Sequence, residues 1–233
     1  MAGIQACAQA GKTIFGVQVK PVVPLDLFDP VTTVQREALT GRIELKGGFS
    51  FGMNVRVGLS NAISLETGIS QIRRAYDFQL FNDTNGYAGA DRVRFVGYEV
   101  PLMGLVYIRL GERTWMNTAL GLSIDLYPSD VQRDVEEGRI YIYRYNWVRT
   151  GILGNMGVEY RTDQHGTFYL GGSYHRPFND MAVAEFTYYD RPSGFFPYNM
   201  RGVLDGSYLT LDVRYYFHED IEKKDLRRRF DDF

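Results

Sequence analysis

Cysteine is almost absent from this sequence, since Cys7 is the single cysteine among 233 residues. One thiol cannot form an intrachain disulfide framework or a zinc site built on several thiolates. Histidine is also scarce, with three residues. No phosphate-binding loop, GxSxG elbow or metal-ligand spacing occurs, so the common catalytic and metal centres leave no signature here.

Long apolar runs are missing as well. No stretch approaches the roughly 18 apolar residues that a membrane helix needs, and the mean hydropathy is −0.25. This excludes a helical membrane protein. It does not exclude a membrane β-barrel, whose alternating strands average to ordinary hydropathy. The formal net charge of −2 gives no electrostatic reason to expect a nucleic-acid partner.

Aromatic residues and glycine are abundant, with 17 Tyr, 15 Phe and 25 Gly. Aromatic side chains favour β-strands. Hydrophobic residues make up 45% of the chain and charged residues 23%, which argues against disorder and against a coiled coil. The length fits one domain, or at most two small ones.

The segment from residue 42 to 59 alternates apolar and polar residues without a slip. One face carries Ile43, Leu45, Gly47, Phe49, Phe51, Met53, Val55, Val57 and Leu59, and the other carries mainly charged and small residues. Period-2 alternation predicts a strand. The segment is longer than a usual strand of 3–10 residues, and this favours a strand that crosses a membrane and rises above it.

The same pattern recurs along the chain and predicts eight strands and no helix. They cover residues 13–21, 42–59, 63–80, 92–110, 114–127, 147–160, 167–175 and 207–217. Short connections (60–61, 111–113 and 161–166) alternate with long ones (24–41, 81–91, 128–146 and 177–205). This asymmetry predicts an all-β, eight-stranded antiparallel up-and-down transmembrane β-barrel, with short periplasmic turns, long extracellular loops and both termini in the periplasm.

Alternation alone leaves the inner face undecided, because a soluble lipocalin-like barrel also has one apolar and one polar face. Two features favour the membrane orientation, with the polar face inside. The polar face carries small residues and charges of both signs that could pair internally. Aromatic residues occur near the strand ends of the apolar face, as in interfacial girdles: Phe15, Tyr76, Phe78, Phe95, Tyr160, Phe168, Tyr174, Tyr215 and Phe217.

Two segments resemble known outer-membrane sequences. Residues 206–217 resemble the C-terminal signal that the barrel-assembly machinery reads, with alternating apolar residues and a terminal Phe217. Residues 98–103, YEVPLM, resemble the YxEIPLL strand of the small bacterial outer-membrane β-barrel family that includes PorT-like proteins. The resemblance implies a barrel fold in the outer membrane of a Gram-negative cell envelope. It implies no shared catalytic residues.

These patterns divide the chain into three parts. Residues 1–11 are predicted to be the remnant of an export signal peptide or a flexible N-terminus, because Ala6, Ala8 and Ala10 offer the small-x-small pattern of a cleavage site. Residues 12–217 are predicted to form the barrel, and residues 218–233 a charged periplasmic tail.

The function predicted from the sequence is a non-enzymatic, structural or partner-binding scaffold without a cofactor. The candidate binding residues for an envelope protein are Phe195, Phe196 and Tyr198 in the last long loop, and Arg227, Arg228 and Arg229 in the tail. Two alternatives stay open at this point. One is a soluble lipocalin-like carrier of a small apolar ligand, and the other is a lipid-modifying barrel enzyme that uses Ser173 and His175. The mixed interior charges argue against a porin-like open channel.

Overall fold

The computed structural model describes residues 11–24, 31–190 and 197–218. These residues form 13 strands: β1 (Thr13–Val23), β2 (Val31–Arg36), β3 (Leu39–Gly58), β4 (Ile63–Asn82), β5 (Tyr87–Arg109), β6 (Thr114–Leu126), β7 (Val131–Val135), β8 (Gly138–Arg144), β9 (Val148–Arg161), β10 (Thr167–Pro177), β11 (Ala182–Tyr189), β12 (Pro197–Leu204) and β13 (Tyr208–Tyr216). The same residues contain no helix of the length and apolarity required for a membrane span.

The larger of the two sheets has nine strands in the order β1-β13-β10-β9-β6-β5-β4-β3-β2. Every pairing in it is antiparallel. Strand β1 pairs on one side with β13, and on the other side with β3. Apart from the pairs β1–β13, β1–β3, β6–β9 and β10–β13, each strand therefore lies beside its neighbour in the chain, as in an up-and-down sheet.

All eight predicted strands are present, with ends that shift by up to five residues. The predicted total is nevertheless wrong, because five further strands (β2, β7, β8, β11 and β12) lie in segments that were expected to be loops. Strand β8 alternates Ile with Tyr, and β11 is an almost continuous apolar run. Such segments lack the contrast between an apolar and a polar face on which the periodicity argument depends.

Strands β7, β8, β11 and β12 form a second antiparallel sheet in the order β12-β11-β8-β7. It packs over the ends of β2 to β5 that point away from the short turns. Side chains from both sheets share one apolar core, whose fully buried members include Ile43, Phe78, Phe95, Ile140 and Phe186. At one edge the Thr32 hydroxyl donates to the Val203 carbonyl at 3.0 Å, which ties β2 to β12.

Strand β4 shows that the sheet reverses its polarity along its length. Near the short turns its outward residues are apolar and its inward residues are polar: Ile63, Leu65 and Ile69 are exposed, while Ser64, Glu66 and Ser70 are buried. Farther along, the inward residues are apolar and the outward residues polar: Ile72, Tyr76, Phe78 and Leu80 are buried, while Arg73 and Gln79 are exposed. We call these two regions the proximal part and the distal part.

Strand β3 achieves the same reversal through its backbone. Its sequence alternates without a break, yet Ile43 and Leu45 face inward while Phe49 and Phe51 face outward. The register with β4 shifts between Leu45 and Gly47, which is the position of a β-bulge. The prediction that one unbroken face continues through the whole segment is therefore wrong, because one extra residue turns the strand over.

The prediction of outward-facing aromatic residues is confirmed in the proximal part and wrong in the distal part. Side chains at the short-turn end that are about half exposed on the outer face include Phe15, Tyr160, Phe168 and Phe217. By contrast, Tyr76, Phe78 and Phe95 are buried in the apolar core. These three residues lie beyond the level at which the sheet reverses its polarity, so their strand face points inward.

Gly47 has a backbone φ of 127°, which residues other than glycine rarely adopt. We expect Gly47→Ala to lower the free energy of unfolding by about 1–3 kcal/mol, because it strains the bulge that turns β3 over. Gly104→Ala is the matched control, since the nearest atom to an added Cβ there is 3.9 Å away. Urea unfolding in detergent micelles measures both. Equal stability of the two variants would contradict the role of the bulge.

Candidate functional site on the inner face of the larger sheet

The inner face of the proximal part is densely polar and charged. Residues that are at most 4% exposed on this face include Lys20, Arg56, Glu66, Glu99, Asn117, Asp125, Asn155, Glu159, Ser173, His175, Asp212 and Arg214. A buried charge is tolerated only where it is paired and hydrogen-bonded. These groups are therefore the candidate site, and their pairing decides what it can do.

Arg56 lies at the centre of the first cluster and joins four strands. Its guanidinium donates to Glu66 at 2.9 Å, to Glu159 at 2.5 Å and to the Tyr216 hydroxyl at 2.6 Å. The Tyr216 hydroxyl in turn donates to Glu66 at 2.6 Å. Strands β3, β4, β9 and β13 supply these residues, so the network crosses the interior rather than following one strand pair.

Arg214 extends the network along β13. Its guanidinium contacts Glu66 at 2.6 Å and Asp212 at 2.5 Å. Glu66 thus accepts hydrogen bonds from both arginines, one at each carboxylate oxygen. The Ser173 hydroxyl donates to Asp212 at 2.6 Å, and Asn155 donates to Asp212 at 3.1 Å.

Part of this network is encoded locally. The tight connection between β3 and β4 sets the register in which Arg56 lies directly opposite Glu66. Opposite charges at facing positions of an antiparallel pair stabilise it. The sequence predicted internal pairing of these charges, and the structure confirms it. The contacts with Glu159 and Tyr216 join residues more than 100 positions apart, and no local signal reveals them.

A second cluster lies near the level at which the sheet reverses its polarity. Ligand atoms of Glu99, Asp125 and His175 lie within 4.8 Å of one another, and all three residues are buried. This donor set could hold a metal ion. However, the Lys20 ammonium is 3.7 Å from Glu99, and the Tyr208 hydroxyl also donates to Glu99. A resident ammonium competes with a metal ion for that carboxylate, so the cluster fits an internal ion network better than a metal centre.

The predicted Ser173–His175 pair does not form, although both side chains face inward as expected. Ser173 is bound to Asp212, whereas His175 Nε2 contacts the Ser123 hydroxyl at 2.8 Å and Asp125 at 3.0 Å. Ser123 and Asp125 approach the same ring nitrogen. A nucleophile–base–acid relay needs them on opposite nitrogens, so this geometry gives the enzyme hypothesis no support.

Of the predicted binding residues, only Tyr198 lies in the described part of the chain. It belongs to β12, packs against the apolar core and has the Arg36 guanidinium 5.8 Å from its ring centre. Tyr198 is thus a residue of the second sheet rather than a loop residue. Phe195, Phe196, Arg227, Arg228 and Arg229 lie outside the described residues. Their binding role stays a prediction.

The outer surface of the distal part carries exposed ion pairs, as expected for a face in water. Arg92 of β5 donates to both carboxylate oxygens of Asp77 on β4, at 2.5 and 3.1 Å. These hydrogen bonds from Arg92 hold the pKa of Asp77 below its usual value. Both residues occupy outward positions of their strands, on the opposite side from the apolar core.

The fold is that of outer-membrane β-barrel proteins. It is similar to the outer membrane protein OprG from Pseudomonas aeruginosa, with a TM-score of 0.53 and 11% identity over 91% of this chain and 99% of OprG. Two other outer-membrane structures show lower similarity. The protease OmpT from Escherichia coli gives a TM-score of 0.41 with 12% identity over 88% of this chain and 96% of OmpT, and the β-domain of the Bordetella autotransporter BrkA gives 0.27 with 11% identity over 90% and 100%. No family model and no curated protein sequence matches the chain.

Removal of Arg56 should take one positive charge from the buried network and leave one carboxylate charge in excess. We expect Arg56→Met to lower the free energy of unfolding by about 3–5 kcal/mol, because breaking a buried pair leaves an uncompensated charge. The control is Arg113→Met, whose partner Asp163 is 72% exposed. That change should cost about 0–1 kcal/mol. Urea unfolding in micelles compares the two. Similar losses would show that the interior network does not stabilise the fold.

Proposed function

We propose that this protein is an integral outer-membrane β-barrel of eight spanning strands that acts as a non-enzymatic scaffold and carries a rigid β-domain outside the membrane. The reversal of polarity along the larger sheet is the observation that carries this proposal. A surface that is apolar outside and polar inside suits lipid, whereas the opposite arrangement suits water. The proximal part has the first arrangement and the distal part has the second.

The outer face of the proximal part is far more apolar than a soluble surface. Large apolar side chains that are 38–64% exposed form a continuous band on it, among them Phe15, Val17, Met53, Leu65, Ile69, Leu102, Val106, Leu120, Leu122, Ile124, Ile152, Met156, Leu170, Leu211 and Val213. Soluble monomers rarely expose contiguous apolar patches larger than a few hundred square ångströms. Contact with lipid explains the band.

The pairing pattern supports eight spanning strands. Strand β1 pairs with both β3 and β13, so the chain of pairings through β3, β4, β5, β6, β9, β10 and β13 returns to its start. Strand β2 pairs with β3 only in the distal part, opposite residues 39–44. A closed ring leaves no unpaired strand edge in lipid, where such an edge would be costly.

The same geometry argues against the lipocalin-like alternative. A lipocalin-like barrel holds its ligand against an apolar interior, but the interior of the proximal part is lined by Arg56, Glu66 and Arg214. The apolar interior of the distal part is filled by its own side chains. Because ion pairs cross the proximal interior, we propose a lumen that does not conduct ions.

We infer an orientation from the distribution of connections. The first barrel strand begins beside Gly58, and the last ends opposite Thr167, so both barrel ends lie with the short turns. We propose that this end is periplasmic and that the second sheet is extracellular. The charged tail and the segment that contains Phe195 and Phe196 would then be available to envelope partners on opposite sides of the membrane.

Arginine substitutions on the outer face of β4 test the membrane boundary. We expect Leu65→Arg to block assembly or to destabilise the barrel by up to about 2–4 kcal/mol, since lipid-facing charges near the bilayer midplane cost that much. Gln79→Arg, on the same face but in the distal part, should change stability by less than about 0.5 kcal/mol. Heat-modifiability on SDS gels and carbonate-resistant membrane association measure assembly. Equal tolerance of both arginines would contradict the membrane proposal.

Single cysteines test the orientation in a Cys7→Ser background. Gln132→Cys is on an exposed position of β7, and Glu112→Cys is in a short turn. A membrane-impermeant maleimide added to intact cells should label the first variant and leave the second unlabelled until the cells are lysed. Labelling of Glu112→Cys alone in intact cells would reverse the proposed orientation.

A further inference from the structure

An open groove of about 330 Å³ lies on the outer wall at the distal end of β9, β10 and β13. Ile152 of β9 and Arg176 of β10 form its barrel side. Phe178 and Asp180 come from the connection that leads into the second sheet, and Asp205 and Ser207 from the connection that returns to β13. The groove is thus the step where the second sheet meets the barrel wall.

The groove lies at the edge of the apolar band. Arg176 is directly opposite Ile152 in the register of β10 and β9, and both side chains point outward. Phe178 is 58% exposed, and Trp147 at the start of the neighbouring strand is 63% exposed. Exposed aromatic residues mark the level of lipid headgroups in membrane barrels. The groove therefore faces the headgroup layer if the proximal part spans a bilayer.

The Arg176 guanidinium has neither an ion pair nor a hydrogen bond with the part of the chain that the structure describes. On a surface next to lipid, an unpaired guanidinium calls for an anionic partner, and a planar guanidinium binds phosphate oxygens in a bidentate manner. The opposite wall carries the exposed carboxylates of Asp180 and Asp205, which suit a hydrogen-bond-donating cation instead. The groove thus presents one positive and two negative groups to the same ligand.

Hydrogen bonds fix the walls of the groove. The buried Arg74 donates to the Gly206 carbonyl at 3.0 Å, which ties the returning connection to the barrel interior. Met181 N donates to the Leu204 carbonyl at 2.8 Å, and Phe178 N donates to the Thr150 carbonyl at 3.0 Å. Both connections are therefore attached to the sheets, and the groove is formed before a ligand arrives.

We propose that this groove binds a lipid headgroup in which a phosphate stands next to a primary ammonium. Arg176 donates to the phosphate, Asp180 and Asp205 accept from the ammonium, and Ile152 and Phe178 contact the first part of the acyl chains. The inference rests on the proposed membrane location. It goes further by assigning a lipid class, because a choline headgroup has no N–H to donate to the two carboxylates.

Native mass spectrometry of the full chain in detergent, with lipids of identical acyl chains added, tests the proposal. Phosphatidylethanolamine should be retained at least about tenfold more strongly than phosphatidylcholine, as expected for two charge-assisted hydrogen bonds. Arg176→Gln should reduce retention of both lipids. Asp180→Asn combined with Asp205→Asn should remove the preference while leaving phosphatidylcholine binding unchanged. Arg133→Gln, an exposed arginine on β7, is the charge-matched control and should behave as wild type.

Other outcomes would overturn the lipid assignment. Equal retention of phosphatidylethanolamine and phosphatidylcholine by the wild type would show that the two carboxylates do not select the headgroup. An affinity for soluble phosphoethanolamine equal to that for phosphatidylethanolamine would show that the acyl chains do not contribute to binding. A preference for phosphatidylglycerol that EDTA abolishes would assign the carboxylates to a divalent cation. Heat-modifiability shows whether each variant is folded. If the membrane proposal itself is wrong, the wild type will not associate with membranes in a carbonate-resistant manner, and this result distinguishes that failure from failure of the lipid assignment.

Discussion

A strand that passes from lipid into water must exchange the polarity of its two faces, and under the proposed membrane location the architecture of this protein depends on that constraint. Strand β4 reverses its polarity through its sequence, because its apolar residues move from the outward positions, which end at Ile69, to the inward positions, which begin at Ile72. Strand β3 keeps its sequence phase and changes its backbone at Gly47 instead. The two positions at which the strands reverse their polarity lie close together in the sheet, since Gly48 of β3 is opposite Arg74 of β4. Neighbouring strands therefore change polarity at nearly the same level.

The buried ion network is the counterpart of this reversal on the inside. An interior of about eight strands is filled by side chains rather than by water. In the proximal part those side chains must be polar, because the apolar positions face outward. Arg56 and Arg214 each contact two carboxylates, and Glu66 is shared between them. Such a network specifies which strands face each other across the interior, since a wrong pairing would leave a buried charge without its partner.

The proximal part could be predicted from the sequence because its two faces differ strongly in polarity. Every strand there has one apolar and one polar face, and short turns fix the register. The second sheet could not be predicted, because β8 alternates Ile with Tyr and β11 is buried along most of its length, so neither strand has a distinctly polar face. The bulge at Gly47 was also hidden, since the alternation of β3 continues through it. Contacts such as Arg56 with Glu159 depend on how strands that are far apart in the sequence face each other, and they have no local signature.

The length of β3, β4 and β5 determines how the second sheet is held. These strands run through both parts without a break in pairing, apart from the one bulge. A domain attached by a flexible linker samples many orientations. Here the hydrogen-bonded strands themselves form the connection, and the apolar core spans both sheets. Any partner that binds the second sheet would therefore be held at a fixed position and angle relative to the larger sheet, which suits the proposed scaffold better than a flexible capture loop would.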